Sequence, residues 1–260
     1  MSPALVPPRS YEPELMDREG NTYEEQAGNL RDIARVNRWL GGIATLRRPL
    51  REMIRRDGLA AFTLLDVGTG GGEVPQALVA WARRSGIEAR AAGLDLDPHM
   101  VRYARERTGR ERRRGGTDGT AAGDGGPDTK GPGPLCLLRA DGFRLPFPDA
   151  SFDFVTSSLM FHHFTEPDAA RLLAELARVS RRAVVVNDLA RHRIPWAVIT
   201  VLAALGGTRM VRHDGPLSVL RGWQPPELLA LATAQGLAHR ARVRRLFPYR
   251  LVLVVERGTA

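Results

Sequence analysis

From Leu64 to Pro75 the chain reads LLDVGTGGGEVP, where an apolar run (Phe62, Leu64, Leu65, Val67) breaks into glycines and resumes as Val74, Ala77, Leu78 and Trp81. The change of period predicts a strand, a tight turn and a helix. Gly68 and Gly70 permit backbone dihedrals and a close ligand approach that a Cβ would block. Gly72, at the helix start, lets helix and strand pack closely while free N–H groups face the turn. The turn suits a ligand with a polar or anionic edge; the same pattern also occurs as a plain connector.

The spacing and the following strands narrow the ligand. A dinucleotide fingerprint, G-x-G-x-x-G, needs its last glycine where Glu73 stands; here the pattern is G-x-G-x-G, preceded by Asp66. The next predicted strand, residues 89–95, ends in GLDLDP and places Asp95 where a carboxylate can accept hydrogen bonds from both hydroxyls of a ribose. Asp97 precedes Pro98 and reads as a helix N-cap with proline at the first helical position. A third strand, residues 135–140, ends at Asp141 and Gly142, an acceptor suited to an exocyclic amine such as adenine N6. A fourth, residues 152–159, follows a short turn.

Taken together, DVGTGGG (66–72), GLDLD (93–97), RADGFRLPFPDASFDFV (139–155) and ELARVSRRAVVVND (175–188) resemble the class I S-adenosylmethionine-dependent methyltransferases, in the branch acting on small molecules such as quinones and aromatic natural products. The resemblance covers about residues 63–255. It implies S-adenosylmethionine as cofactor, its methionine end held by Asp66 and the loop of Gly68, Gly70 and Gly72, its ribose by Asp95, and its adenine by Leu96 with Asp141 and Gly142. It also implies a Rossmann-like, doubly wound α/β fold: a seven-stranded sheet of order 3-2-1-4-5-7-6, with the last strand antiparallel, behind an N-terminal helical lid. The expected layout is an arm and lid over 1–58 and a cofactor-binding domain over 59–260.

Composition sets further bounds. The chain has 260 residues, 43% of them hydrophobic, which suits one domain with a substantial core. Its opening residues lack a basic region followed by an apolar block, and no run reaches the roughly 18 apolar residues of a membrane span. A cytoplasmic protein without stable membrane insertion is expected, a monomer or homodimer. Cys136, the one cysteine, lies in an apolar strand; it excludes an internal disulfide, argues against a thiolate metal cluster and is expected in the core. No metal is expected. The net charge of +9 is nearly all arginine spread along the sequence, without the basic and aromatic stripes of a nucleic-acid surface. No nucleic-acid partner is expected.

Before the first strand, Thr22 with Glu25 forms a capping box, and Leu30, Ile33, Ala34, Asn37 and Leu40 recur on one helical face. Gly41 and Gly42 interrupt, and a second helix runs to about Arg56. These helices either cover the cofactor and acceptor, as the resemblance implies, or form an ordinary pair packed on the sheet. Residues 109–134, with no aliphatic side chain larger than alanine, read as a flexible surface insertion. Residues 168–179 read as a helix, 183–186 as a buried fifth strand ending at Asn187 and Asp188, 224–235 as the last helix, and 241–247 with 251–255 as a hairpin. The segment 190–222, opening with an apolar helix-length run, sits where the resembling enzymes carry substrate-covering insertions; it either covers an apolar acceptor or completes the core.

The implied reaction is methyl transfer to a small, apolar aromatic acceptor at a phenol or quinol oxygen. Carbon methylation of a similar ring, a non-catalytic cofactor-binding protein and a nicotinamide-dependent oxidoreductase are the alternatives. After the fourth strand the chain carries SSLMFHHF (157–164) rather than the Asn/Asp-Pro-Pro-aromatic motif of nucleic-acid amino methyltransferases. Parallel neighbouring strands about 4.8 Å apart bring His162 and Asp188 out together. His162 is then a candidate general base oriented by Asp188, with His213 in reserve; either His162 or His163 can equally cap the strand or fill the core.

Overall fold

A computed structural model describes residues 5–39, 41–115 and 135–257. In chain order the elements are α1 (Tyr23–Trp39), α2 (Gly42–Arg56), β1 (Ala61–Val67), α3 (Glu73–Arg84), β2 (Glu88–Asp95), α4 (Pro98–Gly115), β3 (Leu135–Arg139), β4 (Phe152–Ser158), α5 (Glu166–Val179), β5 (Ser180–Leu189), α6 (Arg193–Gly206), α7 (Arg209–Arg221), α8 (Pro225–Ala234), β6 (Ala241–Leu246) and β7 (Arg250–Glu256). The seven strands form one sheet of order β3-β2-β1-β4-β5-β7-β6. Strands β1 to β5 pair in parallel, and β7 runs antiparallel to both β5 and β6.

The central strands read as unbroken apolar runs because both their faces are covered. In β1, Leu65 and Val67 pack in a layer with Leu172, Leu176 and Trp223, while Phe62 and Leu64 face Leu46, Leu50, Leu78 and Trp81 on the other side. Helices α5 and α8 cover the first face, and α2 and α3 the second. The parallel order reverses between β1 and β4, and there the carboxyl ends of the strands open into a crevice.

Two expectations change. Cys136 is exposed rather than in the core. β3 is an edge strand with alternating burial, so its short apolar run turns Leu135 and Leu137 inward and leaves Cys136 outside. Of the insertion expected over 109–134, residues 109–115 belong to α4, and residues 116–134 lie outside the described residues. Within 190–222, the stretch after α6 is itself a helix, α7, capped by the Thr208 hydroxyl accepting from Val211 N.

Candidate active site

The crevice is a cavity of about 1260 Å³. Its floor is the loop after β1, which the N–H groups of Gly68 and Thr69 tie to β2 by donating to the Leu94 carbonyl at 3.0 and 2.9 Å. Gly68 has φ 70°, and a Cβ there would overlap the Met160 sulfur. Both constraints demand glycine. Asp66 lies beneath this loop, 1% exposed, accepting from the hydroxyls of Thr69 (2.8 Å) and Thr156 (2.7 Å). Burial pushes its carboxyl up to about 7 against the pull of those two hydroxyls. Its direct partners are thus one hydroxyl of the loop, Thr69, and one of β4, Thr156. Gly72 caps α3 away from the cavity lining, against Ala104 and Leu137.

Asp95 stands at the cavity edge, its Oδ2 accepting from Gly70 N (2.9 Å) and its Oδ1 from Asp97 N (3.1 Å). Burial raises its pKa. Each carboxylate oxygen retains a further acceptor position, enough for a vicinal diol. Leu96 follows, 61% exposed although apolar, lining the cavity. Asp97 Oδ1 accepts from His99 N at 2.7 Å and so caps α4. At the end of β3, Asp141 Oδ1 accepts from Phe143 N, and Oδ2 has no hydrogen bond among the described residues. Gly142 completes this edge. A diol acceptor, an apolar platform and an unpaired carboxylate oxygen therefore lie along one wall.

Across the cavity, His162 and Asp188 meet. Asp188 Oδ1 is 2.7 Å from His162 Nδ1, its Oδ2 accepts from His162 N (3.0 Å), and Leu189 N adds a third bond (2.7 Å). Burial pushes the Asp188 carboxyl up, but the His162 charge and these hydrogen bonds outweigh it and hold the group below its usual range. An ionised Asp188 keeps a hydrogen on Nδ1, which leaves Nε2 as the nitrogen that can exchange a proton. His213 does not reach the cavity. One position from the inward-facing Asp214, it turns outward on α7, with Nδ1 2.8 Å from Asp214 Oδ1 and Nε2 3.8 Å from Glu12 Oε1.

Sequence reasoning missed the groups that enclose His162. Glu14, 1% exposed, places Oε1 3.6 Å from His162 Nε2 and Oε2 3.9 Å from His163 Nε2. Asp17 Oδ2 lies 2.8 Å from His163 Nδ1. Burial pushes His163 down, but the Asp17 hydrogen bond and the Glu14 charge prevail and raise it to about 9. Arg221 donates to the carbonyls of His162 (3.0 Å), His163 (2.7 Å) and Glu12. Asp214 fixes the arm itself, accepting from Leu15 N (2.8 Å) and Met16 N (3.0 Å). Nothing in the PELMD stretch (13–17) marks it as part of a site; only the acidic spacing of Glu12, Glu14 and Asp17 hints at cationic partners. Met16, Leu30, Ile33, Phe143, Met160 and Phe164 supply an apolar part of the wall, beside polar residues such as Ser10, Arg18, Glu19 and Asn37. Of residues 190–222 only Arg221 lines the cavity.

Fold and site together define a Rossmann-like methyltransferase fold. Residues 65–186, from β1 into β5, match the methyltransferase domain family. Among solved structures, the chain is similar to an S-adenosylmethionine-dependent methyltransferase from Aquifex aeolicus, at 20% identity and TM-score 0.52, covering 79% of this chain and 88% of that one. It is also similar to human N-acetylserotonin methyltransferase in complex with S-adenosylmethionine, at 12% identity and TM-score 0.59, covering 92% of this chain and 57% of that one. A third likeness is to a methyltransferase of Haloferax volcanii solved with its Trm112 activator, at 18% identity and TM-score 0.55, covering 93% of this chain and all of that one. No curated protein matches the sequence.

Proposed function

We propose that the protein transfers the methyl group of S-adenosylmethionine to an oxygen of a small, apolar aromatic acceptor. One observation carries this reading: a single cavity joins the Asp95, Leu96 and Asp141 wall to His162 across an apolar lining. The cofactor is S-adenosylmethionine, and the groups present fit it. Asp95 would hold the ribose diol, Leu96 and Asp141 the adenine, and the Gly68 to Gly70 turn would admit the methionine end where a Cβ would not fit.

When bound, the cofactor supplies an electrophilic methyl on a sulfonium sulfur. The protein contributes alignment and a proton acceptor. Positioning of acceptor against methyl supplies about 7 to 11 kcal/mol, whereas a general base adds roughly a hundred- to ten-thousand-fold. His162 Nε2 would accept the proton of the acceptor hydroxyl, leaving the oxygen able to take the methyl as its bond to sulfur breaks and S-adenosylhomocysteine departs. The imidazolium so formed is balanced by Asp188 at Nδ1 and by Glu14 at 3.6 Å from Nε2. His163, protonated at neutral pH, offsets the Glu14 and Asp17 carboxylates. Arg221 keeps both histidine backbones in place.

Calorimetry with S-adenosylhomocysteine and with NADH, followed by mass spectrometry of phenolic lipids incubated with labelled S-adenosylmethionine, tests the proposal. The expected result is homocysteine-product binding and a phenol heavier by one labelled methyl. Binding of NADH instead would overturn the cofactor assignment, and label on ring carbon alone would overturn the oxygen acceptor.

A further inference from the structure

α6 is apolar nearly all round, yet it lies on the surface. From Ile194 to Gly207 it carries no charged residue, and Ala203 is its only buried position. Its inner side, Ile199 and Ala203, leans on α7. Ile194, Val198, Val201, Leu202 and Leu205 follow one another at helical spacing along the opposite face, all exposed, Leu205 by 80%. Trp196 is also exposed, but its position on the helix is on the Ala203 side, away from this stripe. A contiguous apolar face of this kind marks an interaction surface. The cavity does not use it, since no α6 residue lines that space.

Positive charge frames the face at both ends. Arg193 begins α6, and exposed Arg209 and Arg212 open α7 directly beyond it. Arg35 joins them from α1, because its ion-pair partner Asp32 accepts from Thr208 N at 3.2 Å. α6 spans about 21 Å at 1.5 Å per residue, short of the roughly 30 Å hydrocarbon core. No helix among the described residues is long and apolar enough to cross a membrane. A contiguous apolar stripe with arginines at its ends is the pattern of a helix lying in the headgroup boundary. A second copy of the chain fits less well, since a two-fold contact through this face sets the same arginines against each other.

We infer that the protein docks on an anionic membrane surface through the outer face of α6, with Arg35, Arg193, Arg209 and Arg212 against the lipid headgroups. α1, which lines the cavity with Leu30 and Ile33, is tied to the α6–α7 junction through Asp32, so docking sets the cavity wall near the lipid. This inference goes beyond methyl transfer and stands without it.

The test is co-sedimentation of the full chain with phosphatidylglycerol vesicles and with phosphatidylcholine vesicles, read as bound fraction and independent of activity. Binding is expected to the anionic vesicles alone and to fall as salt rises. The paired change Val201→Glu, Leu205→Glu should weaken it at least about tenfold, and Arg209→Gln with Arg212→Gln should weaken it less while flattening the salt dependence. Thermal midpoints of both variants should match the unaltered chain, because the changed side chains are exposed. No binding to anionic vesicles, or binding that both variants leave unchanged, overturns the inference. So does a dimer in light scattering that Val201→Glu, Leu205→Glu dissociates while vesicles bind neither form.

Discussion

On the cofactor wall of the cavity, the hydrogen bonds that fix the polar groups span shorter distances in sequence: Thr69 reaches back three positions to Asp66, Gly70 is 25 positions from Asp95, and Thr156 reaches Asp66 from 90 positions away on the neighbouring strand. On the acceptor wall, His163 meets Asp17 from 146 positions away, Leu15 N meets Asp214 from 199, and Arg221 meets the Glu12 carbonyl from 209. One wall is shaped by local backbone geometry at the ends of consecutive strands. The other exists only once the N-terminal arm has crossed the folded domain. Perturbations of the first should therefore act on ligand binding, and perturbations of the second on stability and turnover together.

The largest contrast is expected at Arg221. Its guanidinium is buried and satisfies three carbonyls beside the Glu14 carboxylate, so Arg221→Ala leaves those groups unpaired and should cost about 3 to 5 kcal/mol of stability in urea unfolding. A loss below about 1 kcal/mol would show that the arm does not depend on this latch.

Next comes turnover. His162→Ala should lower the rate at least a hundredfold, with S-adenosylhomocysteine affinity within a factor of a few of the unaltered value. Asp188→Asn should act in the same direction without adding to it, since the carboxylate works through the imidazole. Additive losses would separate the two residues, and near-normal rates in both would leave alignment alone as the mechanism. On the opposite wall, Asp95→Ala should weaken S-adenosylhomocysteine binding by about 1.5 to 3 kcal/mol, the range for hydrogen bonds to a charged group. Unchanged calorimetric affinity would remove Asp95 from the ribose site.

The same contrast explains what the sequence disclosed. The sheet order was legible through the family resemblance, and the positions of Asp95, Leu96 and Asp141 because each depends on a strand, its terminal residue and the next turn. The meeting of His162 with Asp188 was legible too, since parallel pairing of β4 with β5 determines it. Glu14, Asp17 and Arg221 were not, because no local period encodes where an arm without long helices docks. His213 misled for a related reason: its place in the expected substrate cover made it a candidate, but a one-residue offset on a helix turns neighbours about 100° apart, and Asp214 took the inward position. Cys136 misled because an apolar run does not say which strand lies at the sheet edge.

The smallest expected effect is also the most selective, because it reads the arm through a single proton. His163 in the folded chain titrates at about 9, above the value of about 6.5 for an unperturbed histidine, with Asp17 and Glu14 as the groups that raise it. A raised folded pKa means that the folded chain binds the proton more tightly. The stabilisation is fully present below about pH 6.5 and is lost as pH rises through about 9. Asp17 is held below its usual range by the His163 hydrogen bond, which outweighs part of its burial, so its own contribution is lost only in acid. Asp66 contributes a second slope, since a buried carboxyl raised to about 7 makes the folded state less stable as pH climbs from about 4 to 7, but this effect is complete above that range. Urea midpoints taken between pH 7.5 and 9.5 therefore isolate the histidine. With Asp17 39% exposed, solvent screening limits the expected fall to about 1 kcal/mol across that window. Asp17→Asn should flatten it while leaving S-adenosylhomocysteine affinity unchanged. A fall that persists undiminished in Asp17→Asn would show that the carboxylate holding His163 charged is Glu14, and that the Asp17 contact merely follows the docking of the arm.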